Sequence, residues 1–288
     1  MNEVTTRVPA TTANLGPGYD CLGVALQIYN RVTVTLGTPR ENHPMANAAA
    51  EKFFTQSGAE TFAFSWKIEG DVPQSRGLGS SVTVRLGLLF GLNALAGNPL
   101  SREALFEICA ALEGHPDNAA PAAFGGFAVS KSGAPTLRCE ILPELKFVLL
   151  IPDFEVSTPA ARAVLPATLD RLRAVESCVN ACRITAALMQ QRYDLLAGSF
   201  TDHLHQPHRA PLIPFLNSVI SAGESAGALG GFLSGSGSTI CCLTLHEAEK
   251  IGGAMLAASG CAGARILITS ADNEGAAVLK ESATDAHG

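Results

Sequence analysis

Two stretches near the start of the chain alternate apolar and polar residues, which predicts early antiparallel strands. Val4, Thr6 and Val8 mark the first stretch, and residues 31–36 (RVTVTL) end the second. Alternation with a period of two places successive side chains on opposite faces of a sheet. The segment between them, residues 9–20, is rich in turn-forming residues, and we expect a loop there.

Later segments predict helices and further strands. Residues 37–47 form a polar connector and residues 48–57 a helix, and the alternating run at 62–69 is a third strand that places Trp66 in the core. Residues 80–96 are apolar nearly all round, which is typical of a buried helix. The other predicted elements are a helix over 101–112, a strand from Gly125 and a buried strand at 146–151 that Pro152 ends.

The C-terminal half begins with a predicted amphipathic helix. One helical face collects Leu172, Val175, Val179, Cys182, Ala186 and Met189. Predicted helices at 211–227 and 247–259 then alternate with strands at 239–245 and 264–269. The pattern predicts an α+β chain in two lobes, an N-terminal domain over 1–150 and a C-terminal domain over 151–288.

Composition narrows the class of protein. The 288 residues are 47% hydrophobic and carry a net charge of −6, which fits a folded enzyme and disfavours a general nucleic-acid binder. No segment reaches the roughly 18 apolar residues of a membrane span, and the N-terminus does not resemble a signal peptide. Eight scattered cysteines indicate reduced core residues. We therefore expect a cytoplasmic protein without a membrane partner.

The most informative segment for function is the loop Gly77-Leu78-Gly79-Ser80-Ser81, which runs directly into the apolar helix. Glycines let backbone approach an anion, and unpaired N–H groups at a helix start favour negative charge. The loop lacks the GxxxxGK[ST] pattern of a Walker A motif. Taken alone, it is equally consistent with an ordinary tight connection.

Three other segments add polar chemistry. Residues 231–239 form a second glycine- and serine-rich loop, residues 112–118 read LEGHPDN, and residues 8–20 contain Asn14 and Asp20. His203, His205 and His208 could suggest a zinc site, but a substrate loop carrying Arg209 is the better interpretation because cysteines and further carboxylates at metal-ligand spacing are lacking.

Together these segments resemble the GHMP kinase superfamily, and within it the homoserine kinase family. Six segments match in order: VPATTANLGPGYD (8–20), PQSRGLGSSVT (73–83), EGHPDNAAP (113–121), STPAARAVLP (157–166), DHLHQPHR (202–209) and LSGSGST (233–239). The resemblance covers almost the whole chain. In the last motif Ser238 stands where the family has proline.

The resemblance implies a two-lobed GHMP kinase fold, with a ribosomal-protein-S5-domain-2-like N-terminal lobe and a ferredoxin-like C-terminal lobe. It also implies transfer of the γ-phosphoryl group of ATP to the hydroxyl of L-homoserine, a step of threonine biosynthesis, with Mg²⁺ as cofactor. A homodimer is expected from the family alone. Phosphoryl transfer requires mainly positioning and charge neutralisation.

The family's site residues map onto positions of this sequence. The resemblance assigns nucleotide binding to Pro73, Arg76, Gly77, Leu78, Gly79, Ser80, Ser81 and Val82. It assigns Mg²⁺ to Ser81 and Glu113, which with Asp117 form the catalytic set. It assigns substrate binding to Asn14, Asp20, His115, Asp117, Thr158, Arg162, Arg209 and Gly235.

Two points about the chemistry stay open at this stage. Asp117 is expected to bind the substrate hydroxyl, with a general-base role as the alternative. The chain could also be a GHMP kinase for mevalonate-like or sugar alcohols, or a non-catalytic binding protein of the same fold. Arg162 and Arg209 with Asp20 favour an amino-acid acceptor, because guanidinium groups bind carboxylates and an acidic group can bind an ammonium.

Overall fold

The two alternating N-terminal stretches form the long antiparallel pair on which the first sheet is built. A computed structural model of the chain describes residues 2–37 and 43–279, so residues 38–42 of the predicted polar connector lie outside the described residues. The pair consists of β1 (Glu3–Ala13) and β2 (Leu22–Leu36). Their register runs from Glu3 opposite Thr35 to Ala13 opposite Gly23.

The prediction that residues 9–20 form a loop is wrong for its first five residues. Residues 9–13 continue β1, and the register of the pair shifts between Pro9 and Ala10. A proline can remain in a strand at such an irregularity because it needs to donate no ladder hydrogen bond there. The turn itself is limited to the residues between Ala13 and Leu22. The end of β1 therefore lies next to Asn14, which lines the main cavity of the protein.

The other strands of the first sheet extend this pair. They are β3 (Phe64–Gly70), β4 (Phe127–Val129), β5 (Leu137–Cys139) and β10 (Ala277–Val278). The strand order is β10-β1-β2-β4-β5, and β3 also pairs with β2. The strands predicted at 62–69 and from Gly125 are confirmed within a few residues. Because β10 lies next to β1, the last described residues return to the sheet in which the chain begins.

Four helices cover the first sheet. They are α1 (Pro44–Ser57), α2 (Ser80–Leu95), α3 (Arg102–Glu113) and α4 (Ala119–Phe124). The apolar helix predicted over 80–96 is confirmed as α2, and it packs closely on β2: a Cβ on Gly87 would lie 2.4 Å from the Val32 side chain. Ser101 caps α3 by accepting a hydrogen bond from the Ala104 N–H group.

The C-terminal half forms a second, four-stranded antiparallel sheet with the order β7-β8-β6-β9. Its strands are β6 (Lys146–Ile151), β7 (Gly230–Leu233), β8 (Ile240–Thr244) and β9 (Arg265–Thr269). Its helices are α5 (Thr158–Ala163), α6 (Arg171–Met189), α7 (Gln206–Arg209), α8 (Leu216–Ser225) and α9 (Ala248–Ser259). Short 3₁₀ turns lie at Tyr193–Leu196 and Ala210–Leu212. The two-lobed α+β fold predicted from the sequence is confirmed, and the exact division at residue 150 stays a prediction.

The apolar face that the sequence pattern picks out on α6 is not the buried one. Leu172, Val175 and Val179 are 71%, 55% and 52% exposed. The buried positions include Ser177 and Asn180, whose side chains bond the backbone of His203 and Thr201. The buried face also holds Ile184, Ala187 and Leu188, and its two polar residues anchor the segment before α7, a tertiary contact that periodicity does not reveal.

The prediction that the eight cysteines are reduced core residues is correct for only some of them. All eight cysteines are free thiols. Cys109, Cys241 and Cys242 are buried, whereas Cys178 and Cys182 are exposed on α6. The exposed pair follows from the orientation of α6 described above. Within residues 2–37 and 43–279, no helix is both long enough and apolar enough to cross a membrane.

The two sheets are joined by direct contact between the two glycine-rich loops. A Cβ on Gly77 would lie 2.1 Å from the carbonyl oxygen of Ser234. The Ser234 hydroxyl donates to the Gly77 carbonyl at 2.7 Å, and the Thr239 N–H group donates to the Arg76 carbonyl at 3.2 Å. Ser238, in place of the family's proline, donates to the Phe154 carbonyl at 2.6 Å.

Gly77→Ala should therefore destabilise the protein through this contact. Gly133 provides the matched control, because both glycines have a φ of +72° and a Cβ on Gly133 would meet nothing within 4 Å. Gly133→Ala should cost about 1–2 kcal/mol for the left-handed backbone alone. Gly77→Ala should cost at least about 2 kcal/mol more in urea unfolding, because backbone must move apart. Equal costs for the two variants would show that the loop contact is not a stabilising element.

Candidate active site

A cavity of about 430 Å³ lies where the two glycine-rich loops, the start of α2, the end of α3 and α5 meet. The following predicted residues line it: Asn14, Asp20, Arg76, Gly77, Gly79, Ser80, Ser81, Val82, Glu113, His115, Asp117, Thr158, Arg162, Arg209 and Gly235. Two predicted residues are placed elsewhere. Leu78 is buried in the core, and Pro73 lines a separate depression.

The loop before α2 is held in place by β1. The Thr11 N–H group donates to the Leu78 carbonyl at 3.1 Å. A Cβ on Gly79, whose φ is +69°, would lie 2.1 Å from Thr11 Oγ1. This glycine is therefore required by the protein's own packing, in addition to any ligand. α2 begins at Ser80 with unpaired backbone N–H groups at the cavity wall, an arrangement suited to anions.

Although Arg76 lines the cavity, its side chain mainly connects the two lobes. Its Nε donates to the Pro152 carbonyl at 3.0 Å and its Nη2 to the Asp153 carbonyl at 2.6 Å. Nη1 forms an ion pair with Glu155 at 3.2 Å. The guanidinium group therefore fixes the glycine-rich loop to the segment that follows β6.

A hydroxyl and a carboxylate from two helices meet beside this loop. Ser81 Oγ on α2 donates to Glu113 Oε2, at the end of α3, at 3.0 Å. The other oxygen of Glu113, Oε1, forms an ion pair with Arg85. Hydroxyl and carboxylate oxygens this close together fit a hard divalent cation such as Mg²⁺, which prefers oxygen ligands and retains several waters.

Three titratable side chains form a cluster at the other end of the cavity. Ligand atoms of Asp20, His115 and Asp117 all lie within 4.8 Å of one another. His115 Nδ1 lies 2.6 Å from Asp117 Oδ1. This hydrogen bond raises the pKa of His115 against the opposing effect of burial. Asp117 Oδ1 also accepts the backbone N–H group of Asn118 at 3.0 Å, so the carboxylate is firmly oriented.

Arg162 faces this cluster from α5. Its Nη2 and Nη1 donate to Asp20 Oδ1 and Oδ2 at 2.9 and 3.1 Å, and Nη1 also donates to the Tyr19 hydroxyl at 2.9 Å. Asp20 in turn is placed by Asn14, whose Oδ1 accepts the Asp20 N–H group at 3.0 Å. The Asn14 amide donates to the Gly235 carbonyl at 2.9 Å, which links this end of the cavity to the second glycine-rich loop.

Arg209 is buried and mostly committed to backbone. Nε donates to the Ala161 carbonyl at 3.1 Å, and Nη1 donates to the Gly235 carbonyl at 2.9 Å. Desolvation lowers the pKa of this guanidinium group. The two predicted substrate arginines therefore differ: Arg162 is half-buried and paired with a carboxylate, whereas Arg209 is buried and bonded to two backbone carbonyls.

Tyr19 is a site residue that the sequence analysis missed. Its ring stacks on His205 with centroids 5.3 Å apart, and the guanidinium carbons of Arg209 and Arg162 lie 5.3 and 5.6 Å from its centroid. Such cation–π contacts orient both arginines. Its position in the quoted 8–20 motif, next to Asp20, was the available signal.

The predicted histidine cluster is divided between two surroundings. His203 Nε2 lies 2.9 Å from Glu176 Oε2, on the side of α6. His205 is fully buried and its Nε2 donates to the Gly16 carbonyl at 2.8 Å. Its Nδ1 can then accept from Arg209 Nη1 at 3.2 Å, which requires the neutral ring. Burial lowers the pKa of His205 to about 4, which agrees with this arrangement.

An apolar end completes the cavity. His43, Met45, Trp66, Ile68 and Val84 line it, and the His43 and Trp66 rings meet edge to face with centroids 5.4 Å apart. Trp66 is half-buried and forms part of the cavity wall, so its assignment to the core alone is corrected. Its Nε1 is buried without a hydrogen-bond partner among the described residues.

The chain is similar to known kinases over its whole length. The GHMP kinases N terminal domain matches residues 44–126, and GHMP kinases C terminal matches residues 184–260. A homoserine kinase of Desulfitobacterium hafniense is 36% identical over 96% of this chain and all of that protein. A homoserine kinase of Trichormus variabilis is 37% identical over all of this chain and 98% of that protein.

Solved structures show the same fold. A crystal structure of homoserine kinase from Cytophaga hutchinsonii has a TM-score of 0.86 at 27% identity and covers 97% of this chain and 98% of that one. A crystal structure of mevalonate kinase has a TM-score of 0.71 at 15% identity and covers 94% of this chain and 99% of that one, a likeness of fold.

The buried neutral state of His205 predicts a loss of stability in mild acid. The unfolded imidazole binds a proton below about pH 6.5, but the folded one does so only below about pH 4, so unfolding takes up a proton in between. The free energy of unfolding should fall by about 2 kcal/mol from this group between pH 7.5 and pH 5.

Urea unfolding at the two pH values would measure this effect. The His205→Gln variant should lack that part of the pH dependence, and His208→Gln, on the same short helix, should retain it. If His205→Gln and the wild type lost the same stability between pH 7.5 and pH 5, His205 would not be the neutral buried group described above.

Proposed function

The chain belongs to the homoserine kinases of the GHMP kinase superfamily, and from that premise we propose how its residues transfer the γ-phosphoryl group of ATP to L-homoserine. The products are O-phospho-L-homoserine and ADP, and the reaction is a step of threonine biosynthesis. One observation carries the assignment of residues: a single cavity brings together an anion-binding helix start and a cluster of opposite charges.

The nucleotide would lie across the loop at residues 74–82. The backbone N–H groups at the start of α2 would bind phosphate oxygens, because the helix dipole adds a favourable field there. The adenine ring would lie against the apolar end, where the Trp66 ring forms part of the wall. Val82 and Val84 also line the cavity.

Mg²⁺ would be held by Ser81 and Glu113, whose oxygens already lie 3.0 Å apart on the cavity wall. When bound, the cation supplies charge neutralisation for the phosphate groups. The chain's own part is to present both oxygens from rigid helices, at the start of α2 and the end of α3.

Homoserine would bind at the charged end as a zwitterion. Its carboxylate would take the donors of Arg162 and the remaining donors of Arg209, and its ammonium would face Asp20. The Asp20–Arg162 ion pair has to open for this, but each partner then gains an opposite charge from the ligand. His115, Thr158 and Gly235 line the same region and would complete the contacts.

Asp117 would bind the reacting hydroxyl. Its Oδ1 is held by His115 and Asn118, which leaves Oδ2 for the substrate. A loose transition state requires little deprotonation of the alcohol before transfer, so orientation of the hydroxyl is the main contribution. The alternative role for Asp117 is that of a general base that accepts the hydroxyl proton during transfer.

The same geometry separates this proposal from its two rivals. Mevalonate-like and sugar alcohols carry no ammonium group, so they would leave Asp20 without a partner once Arg162 had bound them. A non-catalytic protein would bind the nucleotide without releasing ADP. A coupled assay of ADP release with L-homoserine, L-serine, mevalonate and galactose distinguishes all three, and we expect the fastest release with L-homoserine.

Arg162→Ala should raise the KM for homoserine roughly ten- to a hundredfold, because a charge-assisted hydrogen bond contributes about 1.5–3 kcal/mol. The KM for ATP should change little. Arg192→Ala is the matched control, because Arg192 also forms a two-pronged pair with a carboxylate, that of Asp194, but is exposed and lies outside the cavity lining. Equal shifts of both KM values in Arg162→Ala would contradict a role at the amino acid.

Glu113→Gln should leave the protein folded and lower turnover strongly, with partial recovery at high Mg²⁺. The amide can still accept the Ser81 hydrogen bond, but it lacks the charge that a carboxylate gives to a metal ion. Glu107→Gln, an exposed position on the same helix, is the control for steady-state kinetics. Wild-type rates for Glu113→Gln at limiting Mg²⁺ would show that Glu113 is only structural.

A further inference from the structure

Arg85 is the one charged residue of α2, a helix that is otherwise mostly apolar. The proposed function gives it no contact with either substrate. It lies one turn after Ser81 on α2, on the side that faces Glu113. It is not among the residues that line the cavity. Its Nη1 is paired with Glu113 Oε1, so Arg85 lies behind the carboxylate as seen from the cavity.

The two oxygens of Glu113 therefore have different partners. Oε2 accepts the Ser81 hydroxyl at 3.0 Å on the cavity side, and Oε1 accepts from Arg85. The side chains of Arg85 and Glu113 are only 18% and 9% exposed, so solvent screens the pair weakly. A carboxylate held at both oxygens cannot rotate freely, and its charge is already balanced before any ligand arrives.

The bonding of Arg85 differs from that of the other arginines near the site. Arg76 and Arg209 donate to backbone carbonyls and so hold the fold together. Arg85 Nη1 donates a hydrogen bond to Glu113 Oε1. Among the described residues, the buried Nε of Arg85 has no hydrogen-bond partner. Arg85 is thus directed at one functional carboxylate.

We propose that Arg85 is a positioning residue that orients Glu113 and sets its affinity for the divalent cation. The guanidinium group fixes Oε2 next to Ser81 and, as a permanent positive charge, weakens binding of a free cation to this pair. Binding becomes strong only when the phosphate groups of the nucleotide add negative charge on the other side. The inference rests on the proposed function, because it assumes that Glu113 binds the metal.

The expected size follows from electrostatics. The attraction between opposite charges at salt-bridge distance is strong where the pair is mostly buried, as it is for Arg85 and Glu113. A divalent cation competes for the same carboxylate charge, so removal of Arg85 should change its binding by about tenfold. Arginine suits the role better than lysine because it stays charged when partly buried and its planar group can orient an oxygen.

Mn²⁺ provides a probe that needs no turnover. Binding of Mn²⁺ is measured by electron paramagnetic resonance, without nucleotide and with ADP, in the wild type and in Arg85→Gln, Arg85→Lys and Glu113→Gln. Arg102→Gln is the control for loss of one positive charge, because Arg102 lies at the far end of α3 and donates to backbone carbonyls.

Without nucleotide, Arg85→Gln should bind Mn²⁺ about tenfold more tightly than the wild type, whereas Arg85→Lys and Arg102→Gln should be close to it. With ADP the difference between Arg85→Gln and the wild type should shrink. Arg85→Met keeps the aliphatic stem and serves as the neutral variant if Arg85→Gln does not fold, as judged by circular dichroism.

Two failures can be told apart. If Glu113→Gln weakens Mn²⁺ binding with ADP but the neutral Arg85 variants bind Mn²⁺ no more tightly than the wild type, the role of Arg85 is overturned and the metal site stands. If Glu113→Gln binds Mn²⁺ with ADP as well as the wild type does, Glu113 is not a metal ligand and both proposals fail. Tighter binding in Arg102→Gln equal to that in Arg85→Gln would reduce the effect to net charge and also overturn the inference.

Discussion

The active site depends on one contact, the backbone of the first glycine-rich loop against the backbone of the second. Gly77 lies so close to Ser234 that a Cβ would approach its carbonyl oxygen to 2.1 Å. The Gly235 N–H group donates to the Ala13 carbonyl at 3.1 Å, and the Thr12 and Ser234 hydroxyls lie 2.8 Å apart. β1, the phosphate loop and the second sheet therefore meet at one point, where side chains would keep them apart.

That contact also fixes the two ends of the cavity relative to each other. The Gly235 carbonyl accepts hydrogen bonds from Asn14 and Arg209, which orient the charged end, while Gly77 begins the loop that leads into α2. Phosphoryl transfer needs a donor and an acceptor held in line at short range, and misplacement by about 1 Å can cost a large factor in rate. The contact between the two loops, together with the bonds of Arg76 to the segment after β6, meets this need.

Local patterns in the sequence were sufficient for most elements. The buried strand at 146–151 and the apolar helix after the phosphate loop are confirmed, because hydrophobic periodicity records which face a segment buries. Hydrophobic periodicity fails where tertiary contacts determine which face of a segment is buried. The apolar face of α6 is exposed because Ser177 and Asn180 anchor a distant loop, and Pro9 stays in β1 because the register shifts beside it. Motifs brought the site residues together, but Tyr19 and Arg85 act through contacts that only the fold creates.

The titratable and charged side chains of the site are arranged in pairs. Asp20 is paired with Arg162, Glu113 with Arg85, and Asp117 with His115. A buried charge without a partner is costly, so the largely buried Glu113–Arg85 pair stabilises the site before substrates bind, and the half-exposed Asp20–Arg162 pair does so more weakly. A ligand that brings both signs of charge, as an amino acid does, can replace both partners of a pair. A ligand with one sign leaves a charge uncompensated, so selection for a zwitterionic acceptor follows from the cost of opening an ion pair as much as from the bonds that replace it.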